Sequence, residues 1–237
     1  MANSIWTTNK ESTNTEEILT QWSSMSRSGD TNDNPSPTCL FETQYVSKPM
    51  PIFTSILPYR VEFNKYLKEV ILEHRRNNPN STDSNVKAWH SSWMTHQENP
   101  KFQPLCDLTV SACKFISRSF MGCQDLNFEI FNFWAMMYEE GEHTIRHSHF
   151  PSDFSAVYYV DVEPGCAPLI FENVVKDGVN DNNQPLIIQP ENGMLAIWPS
   201  ILHHEVPPTK GRRMCISMNI DKCRPFYQLI KEKENNV

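Results

Sequence analysis

Glycine is scarce in this chain: seven in 237 residues, no two close enough to read G-x-G or G-x-x-G. The Rossmann fingerprint, the P-loop and the G-x-S-x-G nucleophile elbow all need closely spaced glycines for tight turns and close backbone approach, so all three are excluded. Basic charge is in deficit: 21 Lys and Arg stand against 28 Asp and Glu, for a net charge of −7. A protein that coats a duplex needs the opposite balance, which disfavours nucleic acid as a partner. The seven cysteines are an odd number and none pair as C-x-x-C. That argues against a disulfide framework or a four-cysteine zinc site and for reduced, buried thiols. No apolar run approaches the ~18 residues of a membrane span. The N-terminus lacks the basic and then apolar stretches of a signal peptide. The expectation is a cytoplasmic protein with no membrane partner.

What is present is unevenly placed. Five of the seven glycines and five of the eight histidines (His143, His147, His149, His203, His204) fall between residues 141 and 211. Residues 1–38 hold 19 Ser, Thr or Asn and read as a polar flexible leader with one short helix around Thr15–Met25. Residues 39–237 read as a single domain. Tyr45-Val46 and Pro51-Ile52-Phe53 suggest a strand at its start. After Pro58, the apolar residues Val61, Phe63, Tyr66, Leu67, Val70 and Ile71 follow the 3.6 period of an amphipathic helix that ends near Asn77. A polar loop over 77–85 and a short strand near Trp89 follow, then a second helix from Pro104 to Phe120. From residue 127 on, short aromatic and β-branched runs alternate with turn signals about every ten residues. The tail over 226–237 suggests a short helix. The expected fold is mainly β: a jelly-roll core with two packing helices on its N-terminal side. The tryptophans, including Trp89, Trp93, Trp134 and Trp198, are expected in the core.

His147 and His149 are one residue apart. On a strand their imidazoles would share a face, and a distant His203 or His204 can join them in a jelly roll. Three neutral imidazoles suit a metal with open positions. The spacing is more specific. Gly141, five residues, His147, one residue, His149, three residues and Asp153 resembles the first cupin motif, with Asp for its usual Glu. Gly193, Pro199 and His204 resemble the second, with Ile201 where that motif has Gly. Both motifs imply a double-stranded β-helix with a metal at one mouth.

A second resemblance covers more residues. The stretches WAMMYEEGEHTIRHSHFPSDFSAVYYV, PENGMLAIWPSILHHEV and GRRMCISMN resemble the 2-oxoglutarate and Fe(II)-dependent oxygenases. They are most similar to the prolyl-hydroxylase-like branch and to its members in bacteria and marine phages; a phage origin would put the protein in the host cytoplasm. The resemblance implies a dioxygenase that uses Fe(II), 2-oxoglutarate and O2, coupling 2-oxoglutarate decarboxylation to hydroxylation of a C–H bond. It implies His147 and His204 as catalytic metal ligands, with His149 at the position of the family's acidic ligand. It further implies Arg213 for the far carboxylate of 2-oxoglutarate, Tyr159 assisting that Arg, and Tyr138 lining the cosubstrate pocket. Arg213, Cys215, Ser217 and Asn219 share a face on a regular strand, so Ser217 can line the same interior. Arg212 is the competitor to Arg213.

Asp153 is a candidate substitute for His149, because 147, 149, 151 and 153 share parity, although Pro151 interrupts the strand. His143 and Arg146 read equally as substrate-facing or as loop residues. The substrate, a protein side chain or a small metabolite, is not specified by any motif. Two other readings stay open at this point: a cupin-like metalloprotein or dioxygenase that does not use 2-oxoglutarate, in which Arg213 is dispensable, and a non-catalytic binding module.

Overall fold

In a computed structural model of the chain, described for residues 50–172 and 185–223, two antiparallel sheets face each other. The polar leader, its helix at Thr15–Met25, Tyr45-Val46, residues 176–183 and the tail helix over 226–237 lie outside the described residues. Strand β1 (Phe53–Ile56) leads into helix α1 (Arg60–Asn77). Strands β2 (Val86–Lys87) and β3 (Trp89–His90), the short helix α2 (Thr95–Glu98), a 3-10 turn at Pro100–Phe102 and helix α3 (Gln103–Phe120) follow. The rest is strand: β4 (Phe128–Tyr138), β5 (His143–His147), β6 (Phe154–Val162), β7 (Leu169–Phe171), β8 (Leu186–Ile188), β9 (Met194–Pro199), β10 (His204–Val206) and β11 (Arg213–Lys222). One sheet runs β1-β9-β6-β11-β4-β3 and the other β2-β5-β10-β7-β8. This is the expected double-stranded β-helix with helices on its N-terminal side.

The period of two in the central strands explains how one sheet serves two cores. From β11, Met214, Ile216, Met218 and Ile220 point outward and pack with Phe133 and Ala135 of β4, Tyr158 and Val160 of β6, and the helices. Cys215, Trp134, Met136, Tyr138, Val157 and Tyr159 point inward, between the sheets. Both faces are covered, so these strands read as nearly unbroken apolar runs. Helix α1 buries Leu67, Val70, Ile71 and His74, whereas Val61 and Tyr66 of its apolar set are exposed. Asn64 ties it to the sheet, donating to the Val160 carbonyl at 2.7 Å and accepting from the Tyr158 hydroxyl at 2.5 Å. Pro104 sits in the first turn of α3, where a missing N–H costs nothing.

Gly193 turns the chain into β9 with φ +81°. Its N–H donates to the Tyr159 carbonyl at 2.8 Å, and a Cβ added there would lie 2.3 Å from Cβ of Arg60. Gly193→Ala is therefore expected to lower the unfolding free energy by about 1–2 kcal/mol from left-handed backbone strain alone. The Arg60 contact adds to that loss. Urea denaturation checks it, and an unchanged midpoint would contradict the turn geometry.

Candidate metal centre

The smaller sheet carries two of the three histidines in register. His204 of β10 lies directly opposite His147 of β5. His149 arrives differently from the strand-parity expectation. Strand β5 ends at His147, and His149 follows in an irregular segment whose position is fixed by its N–H donating to the Ser200 carbonyl at 2.9 Å. One ligand atom from each of His147, His149 and His204 lies within 4.8 Å of the others. His203, the neighbour in sequence, is not part of this group.

The imidazoles are prepared as ligands. Nδ1 of His147 is 2.7 Å from the Ile145 carbonyl, and Nδ1 of His204 is 3.0 Å from the Leu202 carbonyl. A carbonyl only accepts, so both Nδ1 atoms carry the proton and both Nε2 lone pairs are free to bind a metal. Nε2 of His147 and Nε2 of His149 face each other at 3.2 Å. Burial lowers the pKa of all three rings, that of His204 to about 3, with His147 reinforcing the shift. All three are therefore neutral at pH 7, as metal binding requires. Three imidazoles at this spacing, two with a fixed tautomer, fit a divalent first-row metal such as Fe(II).

The cavity beside the cluster is lined by Trp134, Tyr138, Tyr159, Trp198, Arg213 and Ser217 together with the histidines. Arg213 is the buried arginine of the adjacent pair: it is 4% exposed, whereas Arg212 lies on the surface in an ion pair with Glu163 at 2.6 Å. The Arg213 guanidinium sits 4.3 Å from the Tyr138 ring centroid and 5.8 Å from that of Tyr159. One of its nitrogens donates to the Ala167 carbonyl at 3.2 Å, and Nε has no partner. Tyr138 hydroxyl pairs with Thr144 Oγ1 at 2.6 Å. Burial raises the pKa of both tyrosines, so they face the cavity as neutral phenols. Among the described residues no carboxylate pairs with Arg213, and none lines the cavity.

Three expectations are corrected. Asp153 does not join the metal group: its carboxylate accepts from the Lys222 backbone N–H at 2.8 Å and pairs with Lys222 Nζ at 3.0 Å. The irregular segment after His147 ends the shared parity and turns Asp153 toward β11. Asp153→Asn is therefore expected to leave metal affinity within about twofold of the parent while costing ~0.5–1 kcal/mol of stability. Metal titration together with thermal melting checks it. Trp93 is exposed rather than in the core, whereas Trp89, Trp134 and Trp198 are core residues as expected, the last two also lining the cavity. Arg146 is neither a cavity residue nor a simple loop residue; it lies on β5 in an ion pair with Glu172. Cys106, Cys113, Cys166 and Cys215 are free and buried, as expected, and Cys123 is free but exposed; Cys39 lies outside the described residues.

Sequence reasoning passed over His90. It is fully buried, stacks on Trp134 at 5.8 Å and touches Trp93 at 4.6 Å, and burial lowers its pKa to about 4. It braces the indole that in turn lies 5.5 Å from the His149 ring. A lone histidine in AWHSSW carries no spacing signal that could have exposed this.

A family described as "Putative 2OG-Fe(II) oxygenase" matches residues 132–219, the span from the inward face of β4 to Asn219 and therefore the whole of the site. Over these residues, somewhat more than a third of its length, the chain is similar to the 2OG-Fe(II) oxygenases. The oxygenases of this family are dioxygenases whose cofactors are Fe(II), 2-oxoglutarate and O2. No curated protein is significantly similar to the chain. Solved structures share the chain's fold at low identity. A Pseudomonas putida prolyl-4-hydroxylase matches with TM-score 0.53 at 15% identity, covering 73% of this chain and 93% of its own. A Trichoplax adhaerens prolyl hydroxylase in complex with a hypoxia inducible factor peptide matches with TM-score 0.50 at 17% identity, over 71% and 83%. HygX from Streptomyces hygroscopicus, with nickel, 2-oxoglutarate and hygromycin B bound, matches with TM-score 0.53 at 8% identity, over 73% and 83%. No helix among the described residues is long and apolar enough to cross a membrane.

Proposed function

We propose that the protein is a 2-oxoglutarate- and Fe(II)-dependent hydroxylase, in which His147, His149 and His204 hold Fe(II) and Arg213, Tyr159, Tyr138 and Ser217 hold 2-oxoglutarate, all within one domain over residues 39–237. The observation that carries this reading is the buried charge of Arg213. A guanidinium away from water with no anionic partner is strongly destabilising. It is retained here in a cavity that has donors, three neutral imidazoles and no carboxylate among its described lining residues. That is the complement of an oxygen-rich dianion bound at one end by a bidentate fork and at the other by a metal. When bound, Fe(II) supplies the activation of O2 that couples oxidative decarboxylation of 2-oxoglutarate to hydroxylation of a substrate C–H bond.

The chain's own residues do the rest. Arg213 fixes the far carboxylate and so the direction in which the cosubstrate lies. Tyr138 and Tyr159 flank the guanidinium and exclude water from it. The carbonyls of Ile145 and Leu202 hold protons on Nδ1 of His147 and His204, keeping Nε2 aimed into the cavity. The peptide beside the Trichoplax enzyme and the hygromycin B in HygX support both substrate classes for this fold, protein side chain and small metabolite. The test is anaerobic addition of Fe(II) and then 2-oxoglutarate, watched for a weak visible charge-transfer band. The band is expected in the parent protein and absent in Arg213→Ala. A parent protein with no band would reject the reading, and a band undiminished in the variant would favour a metalloenzyme that does without 2-oxoglutarate.

A further inference from the structure

Among the described residues, three aromatic rings lie against the metal histidines. By ring centroids, Trp134 is 5.5 Å from His149, and Trp198 and Phe171 are 5.0 and 5.7 Å from His204. The branch from His204 ends inside the protein, since Trp198 and Phe171 meet at 5.2 Å and both are buried. The branch from His149 does not. The Trp134 ring is 4.9 Å from that of Trp93, which is 39% exposed. His90 packs against both indoles. The segment AWHSSW therefore completes a line of rings from solvent to a metal ligand: Trp93, Trp134, His149.

Such a line can carry electrons. Indole has the most electron-rich face of the aromatic side chains and is the one most easily oxidised. Electron transfer between rings falls exponentially with the gap, and rings with centroids this close are in van der Waals contact. Three features keep the two indoles oxidisable. Burial holds His90 neutral, so it sets no positive charge against them. No described Lys or Arg lies over either ring. Trp134 Nε1 has no hydrogen-bond partner, so an oxidised Trp134 has no acceptor for its proton and stays a cation that an electron can refill.

We propose that Trp134 and Trp93 are a discharge route that protects the metal site when O2 reacts there and no substrate is bound. Trp134 gives one electron to the over-oxidised iron, and Trp93 gives one to Trp134. A one-electron reductant in solution, of the ascorbate or thiol class, gives one to Trp93. No bond of the chain forms or breaks. One passage, with one proton from water, lowers the iron by one oxidation level, below that which takes hydrogen from a C–H bond, and the reductant loses one electron. The inference rests on the oxygenase reading above, which supplies the oxidant.

The test is a flash-quench experiment on the full chain, kept anaerobic, with 2-oxoglutarate and either Fe(II) or Zn(II). Laser-generated ruthenium(III) tris-bipyridine takes an electron from surface indoles, and the tryptophan radical is followed by its visible absorbance. Zn(II) has no electron to give, whereas Fe(II) refills the radical through Trp134 and becomes Fe(III). The expected result is a radical decay an order of magnitude or more faster with Fe(II) than with Zn(II), the fast phase being lost in Trp93→Phe and in Trp134→Phe. A fast phase that survives in either variant, or is missing in the parent, would overturn the route. Where Trp134→Phe fails to fold, Trp93→Phe decides, since that side chain is partly in solvent. Protection is read separately. Under air with Fe(II) and 2-oxoglutarate but no substrate, mass spectrometry should find several-fold more oxygen added to the peptides carrying Trp134 and the metal histidines in Trp93→Phe than in the parent. Equal addition would overturn the protective role. A parent protein that shows no charge-transfer band with Fe(II) and 2-oxoglutarate would instead overturn the oxygenase reading itself.

Discussion

Arg213→Ala is expected to weaken 2-oxoglutarate binding by at least two orders of magnitude. Each hydrogen bond to a charged group is worth about 1.5–3 kcal/mol, and a bidentate fork makes two. The loss is therefore about 3–6 kcal/mol, a hundredfold or more in affinity. The same change removes a buried cation that has no anionic partner among the described residues, so the ligand-free protein should not lose stability in proportion. Arg213→Met, which keeps much of the apolar stem and its packing on Tyr138, sharpens the contrast: its ligand-free melting temperature should equal or exceed that of the parent. Arg213→Lys keeps the charge and loses the fork, and is expected to fall between, at roughly tenfold weaker binding. Calorimetric titration of the Zn(II)-loaded protein measures the affinities, and melting with and without 2-oxoglutarate measures the stabilities. A fully retained affinity in Arg213→Ala would show that the cavity holds its ligand by other groups. A large loss of ligand-free stability in Arg213→Met would show that the guanidinium is a structural pillar rather than an anion receptor.

The cavity was legible in the sequence to the extent that it depends on alternation and register. Arg213 and Ser217 share parity on β11 and both reach the cavity, so a period of two found both. His203 and His204 were separable only through the resemblance to the oxygenases, and the structure places His204 opposite His147. Parity failed where the chain leaves regular strand. His149 lies past the end of β5 and owes its place to a hydrogen bond from its N–H to the Ser200 carbonyl, a long-range contact that spacing does not encode. Asp153 was carried along by the same parity and is in fact turned to Lys222. The strand β2 and the short helix α2 escaped because segments as short as Val86–Lys87 and Thr95–Glu98 show no hydrophobic period. Trp134 and Trp198 were rightly read as core, but their second role as cavity wall was not visible. Burial and cavity lining are compatible when the cavity is itself enclosed, and composition cannot distinguish an indole that packs from one that also presents its N–H.

The second large effect concerns the histidines, and the three should not behave alike. Structural zinc sites gain about 10–16 kcal/mol from four ligands, so removal of one ligand is expected to cost a hundredfold or more in metal affinity. His147→Ala and His204→Ala should show this in full, because both rings are preorganised by a backbone carbonyl on Nδ1 and stand opposite each other across β5 and β10. His149 follows the end of its strand, and its ring leans on Trp134. Its removal leaves an intact two-histidine pair on regular strands, so the loss in His149→Ala should be smaller, roughly tenfold to a hundredfold. His149→Asp should do better than His149→Ala: a carboxylate at this position restores a negative charge to an otherwise neutral ligand set and offers a hard oxygen to Fe(II). The order of Fe(II) or Zn(II) affinity is thus parent and His149→Asp above His149→Ala, with His147→Ala and His204→Ala lowest. Competition against a chromogenic chelator measures it. Equal losses for all three alanine variants would show that preorganisation by the Ile145 and Leu202 carbonyls contributes nothing, and an unaffected His204→Ala would remove the metal from this cavity altogether.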